Sequence, residues 1–348
     1  MIVGSTSRPR ERSAPLWSIQ YLRAVAALMV VVHHLIHPGK PTLLMLNDVN
    51  VGARGVDVFF VISGFIMYVA ARDESFLQFW KRRLIRIVPL YWLATALMAV
   101  VKLHYRGFIA SGTVLLTSVL FIPHYSEDNP SFVWPFLVPG WTLNYEMFFY
   151  LIFSIGILSR HVVISVSMLI IGFVIAGITL SSSSAAFQVY TDPLMLEFLG
   201  GLLLGWIHER IRFARVHILL WLGFIGLFVA DVSLQGSRSI VAMSALAVVA
   251  GAIGYEDRGP VPRWPFGKLL GDASYSIYLV HPSVIWIVAA TIERMVQGTT
   301  TTVIAEIGLG LISSVGAGLL VHKGIERPML IAIGRISSFR RAAVRTLG

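Results

Sequence analysis

A polytopic bundle of membrane-spanning α-helices is the fold class this sequence predicts, and three observations predict it. Hydrophobic residues make up 56% of the 348 and charged residues only 13%, with a mean hydropathy of +0.76, so most of the surface must face lipid. Apolar runs long enough to cross a bilayer recur about ten times, since ~20 helical residues span its ~30 Å core. The basic residues form short clusters between those runs and no single stripe, so the formal charge of +10 reflects membrane topology and points away from nucleic acid. Cysteine is absent, which excludes a disulfide framework or a thiolate metal site.

The first run, 16–37, follows Arg8, Arg10 and Arg12 and resembles a signal-peptide core. No small-residue cleavage site follows Val32, however, and His33-His34-Leu35-Ile36-His37-Pro38 reads as a span reaching an interface. Further runs lie at 55–71, 84–103, 140–158, 161–180, 190–207, 217–233, 238–255, 269–292 and 302–322, several interrupted by Gly or Pro as membrane helices tolerate. Thr113 to Ile122 is apolar but only about half the length of a span. Charge decides its assignment. If it does not cross and the N-terminus is cytoplasmic, about 20 Lys and Arg lie inside against about 6 outside, with Arg23 and Arg86 in the membrane. The outer set is Lys40, Arg54, Lys102, Arg106, Arg238 and Arg294. Letting the segment cross leaves about 9 inside against about 17 outside, against the positive-inside rule. The expected architecture is therefore all-α: one membrane domain over 1–348 with about ten spans and both termini cytoplasmic. It has a tail over 1–15, an outer excursion or re-entrant segment over 104–139, and a basic tail over 329–348. No internal repeat is visible.

Ionisable groups inside a span are costly and so mark candidate sites. Arg23 and His34 stand eleven residues apart, which at about 100° per residue returns to within roughly 20° of the starting direction; they share one helix face, roughly 16 Å apart along the axis. Asp57, near the start of the second span, reads equally as a first-turn acid favoured by the helix dipole or as a site residue. Glu146 lies deeper than capping explains and is expected near the depth of His34. A neutral histidine suits a general base, and a neighbouring carboxylate would orient it. His33 and His37 read as interfacial, and His208, His217 and His322 as solvated inner-end residues.

On the inner side, Arg83 and Arg86 are helix neighbours three residues apart. Lys81 and Arg82 are explained as membrane anchors. Arg86, a turn inside the apolar region, combines with Arg23 into a basic pocket suited to the diphosphate end of a nucleotide-type carrier. Ser274-Tyr275-Ser276-Ile277-Tyr278-Leu279-Val280-His281-Pro282 opens the ninth span, its tyrosines and serines serving either as helix-to-helix glue or as a site. Gly201 and Gly205 read as close helix packing. No group of residues has metal-ligand spacing.

Together and in this order, several segments resemble the acyltransferase-3 family of membrane acyltransferases. They are Arg23-x10-His34, the run Gly55 to Phe65, Arg83-x-x-Arg86-Ile-x-Pro89, Trp141-Thr-Leu-x-x-Glu146 with Phe149-Tyr150, the Ser274 to Pro282 segment, and Glu326-Arg-Pro328. The opening Ser18 to Val31 is most like that of the exopolysaccharide-production acetyltransferases. Thr142 and Asn144-Tyr145 depart from the family's usual serine and small residue before the glutamate. The resemblance implies transfer of an acyl group, usually acetyl from acetyl-CoA, to a sugar hydroxyl at the outer face of a bacterial inner membrane. Arg23, Arg83 and Arg86 would hold the donor, with Tyr275 or a helix N-terminal amide facing the oxyanion. His34 would be the general base, oriented by Glu146 or Asp57, while Trp141 and Trp134 offer aromatic faces to the acceptor polysaccharide or lipid-linked saccharide. No permanently bound cofactor is expected. A proton-coupled transporter or lipid-carrier flippase would also show buried Arg, His and Glu, but inverted repeats would favour it and none is seen.

Overall fold

The computed structural model describes residues 16–36, 50–233, 236–295 and 300–332. The expected N-terminal tail, His37, Lys40 and most of the basic C-terminal tail lie outside the described residues. Among those described there are helices and no strand.

In chain order the helices are α1 (Trp17–Ile36), α2 (Gly55–Ala71), α3 (Phe76–Arg106), α4 (Gly112–Val119), α5 (Trp141–Ser159), α6 (Val162–Thr179) and α7 (Ala185–Tyr190). They continue with α8 (Met195–His208), α9 (Leu219–Ser233), α10 (Arg238–Arg258), α11 (Pro265–Asp272), α12 (Ser274–Met295) and α13 (Thr300–Val321). Among the described residues, eight helices are long and apolar enough to cross a membrane. The chain is thus a multi-pass membrane protein. The expected runs at 190–207 and 217–233 form α8 and α9, of 14 and 15 residues. At 1.5 Å per residue each is about 22 Å, short of the hydrocarbon core.

Two segments refine the sequence-based outline. The third span starts earlier: α3 runs for 31 residues through Pro89, so the cluster Lys81 to Arg86 continues the spanning helix and its arginines inherit that helix's register. The apolar segment 113–122 contains the eight-residue α4, held against α3 where Tyr91 Oη donates to the Ser118 carbonyl at 3.3 Å and Trp92 Nε1 to that of Val119 at 3.0 Å. Phe121, with φ of 58°, turns the chain back, and Phe136 N donates to the buried Ser118 Oγ at 2.8 Å.

Close helix contact is clearest between α2 and α8. A Cβ on Gly64 would lie 2.0 Å from the Phe198 carbonyl oxygen, and one on Gly201 2.0 Å from that of Val61. Only hydrogen fits there. In lipid, where apolar burial gives little drive between helices, such backbone proximity supplies the dispersion that holds a pair. Phe60, Phe198 and Phe149 stack across the core at centroid separations of 4.5 and 4.7 Å. Outward positions remain apolar, as on α6, where Ile164, Met168 and Ile178 are exposed.

The three histidines expected to be solvated, His208, His217 and His322, have partners. His208 Nε2 lies 3.0 Å from Asp257, and Arg258 donates to His217 Nε2 at 2.6 Å. His322, 8% exposed, sits 2.7 Å from Glu326, which also accepts from Ser276 Oγ at 2.6 Å. The π-helical turn His322–Glu326 brings these two side chains onto one face, and burial then requires each polar group to find a partner.

Candidate active site

Three arginines named from the sequence line one cavity. Arg23 from α1, Arg83 and Arg86 from α3, Glu146 and Tyr150 from α5 and Tyr275 from α12 line one cavity of about 800 Å³ of unfilled space, partly open to solvent. The three-residue spacing of the α3 pair and the four-residue spacing of Glu146 and Tyr150 turn both pairs to the same wall. Arg23 is 8% exposed, and its guanidinium donates to Ser274 Oγ at 2.9 Å and to Gln20 Oε1 at 3.3 Å. Arg83, 7% exposed, lies 5.6 Å from the Phe79 ring and 5.9 Å from that of Tyr150, and its Nε has no hydrogen-bond partner. Tyr150 donates to the Glu146 carboxylate, while Tyr275 Oη donates to the Ile87 carbonyl at 3.0 Å, pinning α12 to α3. Three guanidinium groups share the wall with one carboxylate. A buried cation without its full set of partners is expensive, so the cavity is electrostatically incomplete without an anion, and guanidinium edges match phosphate oxygens.

His34 projects toward the same neighbour, α12, at a different level. Its Nδ1 lies 2.9 Å from the Val30 carbonyl oxygen. A carbonyl can only accept, so Nδ1 carries the proton, and in the neutral ring the lone pair is on Nε2. The ring meets that of His281 edge to face at 4.9 Å, and His34 lines a second cavity, of about 1320 Å³, with Tyr105, Arg106, Trp286 and Glu306. Between the two cavities lies one stretch of α12: Tyr278 lines the arginine cavity, its ring is 5.9 Å from His281, and His281 is 0% exposed. Packed side chains therefore separate the two cavities.

The structure does not gather every expected residue. Glu146 lies with the arginines, on the wall of the cavity that His34 does not line. Asp57 lies beside Glu197 of α8 and lines neither the arginine cavity nor the His34 cavity. Trp141 packs on Phe60 and Tyr145 at 6.3 and 5.7 Å. Trp134 stacks on Phe132 at 4.1 Å and lines a smaller cavity beside Lys102 and Asp128. Residues given no role of their own from sequence complete the picture. Tyr150 could have been found by its four-residue distance from Glu146, and Glu197 and Glu306 as acids within apolar runs. Trp286 carries no sequence signal of its own.

A family model described as an acyltransferase domain, that of acyltransferase-3, matches residues 16–323. The exopolysaccharide production protein ExoZ of Rhizobium meliloti (strain 1021) is 36% identical over 291 residues, covering 81% of this chain and 90% of that protein. The acyltransferase MdmB of Streptomyces mycarofaciens is 32% identical over 155 residues, 41% of this chain and 40% of that protein. The O-acetyltransferase OatA of Staphylococcus aureus (strain NCTC 8325 / PS 47) is 24% identical over 76% of this chain, which spans 49% of OatA. No solved structure matches.

Proposed function

The chain belongs to the acyltransferase-3 family of acyltransferases, and on that premise we propose that it moves an acyl group, acetyl above all, from acyl-CoA to a hydroxyl of an exopolysaccharide or other cell-surface sugar. The names of two relatives support the direction of the reading, one produces exopolysaccharide and one is an O-acetyltransferase. The observation that carries the donor assignment is the convergence of Arg23, Arg83 and Arg86 on one cavity with a single carboxylate. Those arginines hold the phosphates of coenzyme A, and its pantetheine arm runs along α12 toward His34, which requires the Tyr278 and His281 side chains to turn aside. Glu146 and Tyr150 hold the arginine wall, and Tyr275 braces it.

In the transfer step, His34 Nε2 takes the proton of the sugar hydroxyl as the oxygen attacks the thioester carbonyl. The carbon–sulfur bond then breaks, and the departing thiolate takes the proton back from the imidazolium. The Val30 carbonyl, and not a carboxylate from α2 or α5, holds the tautomer this needs. The membrane reading completes it: ten spans with α8 and α9 as short ones, both termini cytoplasmic, donor cavity at the inner side and His34 toward the outer side of a bacterial inner membrane. The chain acts as one domain.

Mass spectrometry of surface polysaccharide tests this. Deleting the gene removes an O-acyl group; the wild-type gene restores it and His34→Ala, inserted at equal level, does not. Unchanged acyl content in the deletion strain overturns the reading.

A further inference from the structure

At the end of the bundle that carries His34, the basic residues divide into those neutralised in place and those left open. Arg54 pairs with Asp231 at 2.9 Å, Arg238 with Asp192 at 2.7 Å, and Lys102 with Asp128. Arg106 and Arg294 make no ion pair among the described residues, and both line the His34 cavity. Each is laid over an aromatic ring, Arg106 at 4.1 Å from the Trp286 centroid and Arg294 at 5.4 Å from that of Tyr105. The helix dipole accounts for a cation at the end of α3 or α12. It does not account for two aromatic platforms around one cavity.

A guanidinium stacked on a ring uses its plane for the contact and keeps its N–H edge available, the edge that matches two oxygens of a carboxylate or phosphate. Glu293 is adjacent to Arg294 in the chain and lines the same cavity, yet the two form no ion pair. Glu306 lines it as well. Among the described residues, these acids line the cavity without forming an ion pair with either guanidinium.

We propose that Arg106 and Arg294, on Trp286 and Tyr105, form an anion subsite for the acceptor, so that the sugar presented to His34 carries a carboxylate or phosphate. This rests on the acyl-transfer reading above. The anion comes either from an acidic substituent on the saccharide or from the diphosphate of a lipid carrier.

The test uses the full chain in proteoliposomes with labelled acetyl-CoA and four acceptors. These are a hexuronate-bearing oligosaccharide and its carboxyl-reduced counterpart, each free and as the polyprenyl diphosphate. The expected result is a preference in kcat/KM of tenfold or more for one anion-bearing form, which identifies the source. Arg106→Gln and Arg294→Gln each lower that preference by roughly tenfold, the scale of one charge-assisted hydrogen bond, through KM for the acceptor and not for acetyl-CoA. Equal use of all four acceptors, or a preference that both variants retain, overturns the subsite and leaves O-acyl transfer standing. Transfer to none of them overturns the acyl-transfer reading and the subsite with it.

Discussion

A histidine whose Nδ1 is committed to the carbonyl one turn before it has its tautomer set by its own helix. His34 is therefore expected to lose activity without losing its fold. His34→Ala should reduce transfer by about 10²- to 10⁴-fold, the usual contribution of a positioned base, with unchanged insertion and solubilisation. Arg83→Ala should act on the donor instead, raising KM for acyl-CoA by roughly tenfold through loss of a charge-assisted contact. Glu146 separates two accounts of the site. From its place among the arginines, Glu146→Gln should alter donor KM and leave kcat nearly unchanged. A fall in kcat at unchanged donor KM would instead mean that this carboxylate acts on the imidazole.

Helix pairs are held here by close backbone approach as much as by side chains. Gly64 and Gly201 face backbone oxygens across the α2–α8 contact, so Gly201→Val must push the helices apart. A cost of about 1–3 kcal/mol follows from overpacking, read as a lower melting temperature in detergent. Gly172→Ala on α6, where an added Cβ meets nothing within 4 Å, serves as the control and should hold or raise that temperature. The outer excursion depends on fewer contacts. Ser118→Ala leaves the Phe136 N–H without its acceptor, a loss of about 1–3 kcal/mol for a buried donor, and faster proteolysis between α4 and α5 would report it.

Across the molecule, the proposed topology assigns the two cavities to opposite faces of the membrane. Because the chain has no cysteine, single introduced thiols report sidedness cleanly. Ser126→Cys in the excursion should react with a membrane-impermeant maleimide on intact cells, whereas Ser159→Cys, at the end of α5, should react only after permeabilisation. Labelling of both from one side would overturn the topology and, with it, the assignment of donor and acceptor to opposite faces.

What the sequence determined by itself was everything that depends on periodicity along one helix: the lipid solvent, the helical runs, Arg23 and His34 turned to one neighbour, and Arg83 beside Arg86. The family was also readable from motifs in order. Tertiary structure decided which acid meets which base. Position in a span sets the depth of a side chain, but its azimuth about the helix axis relative to other helices depends on packing that sequence spacing does not encode. So Glu146 joined the arginines, Asp57 joined Glu197 from α8, and His34 came to face His281. The short length of α8 followed the same logic, since a helix buried against α2 can be short where a lipid-facing one cannot.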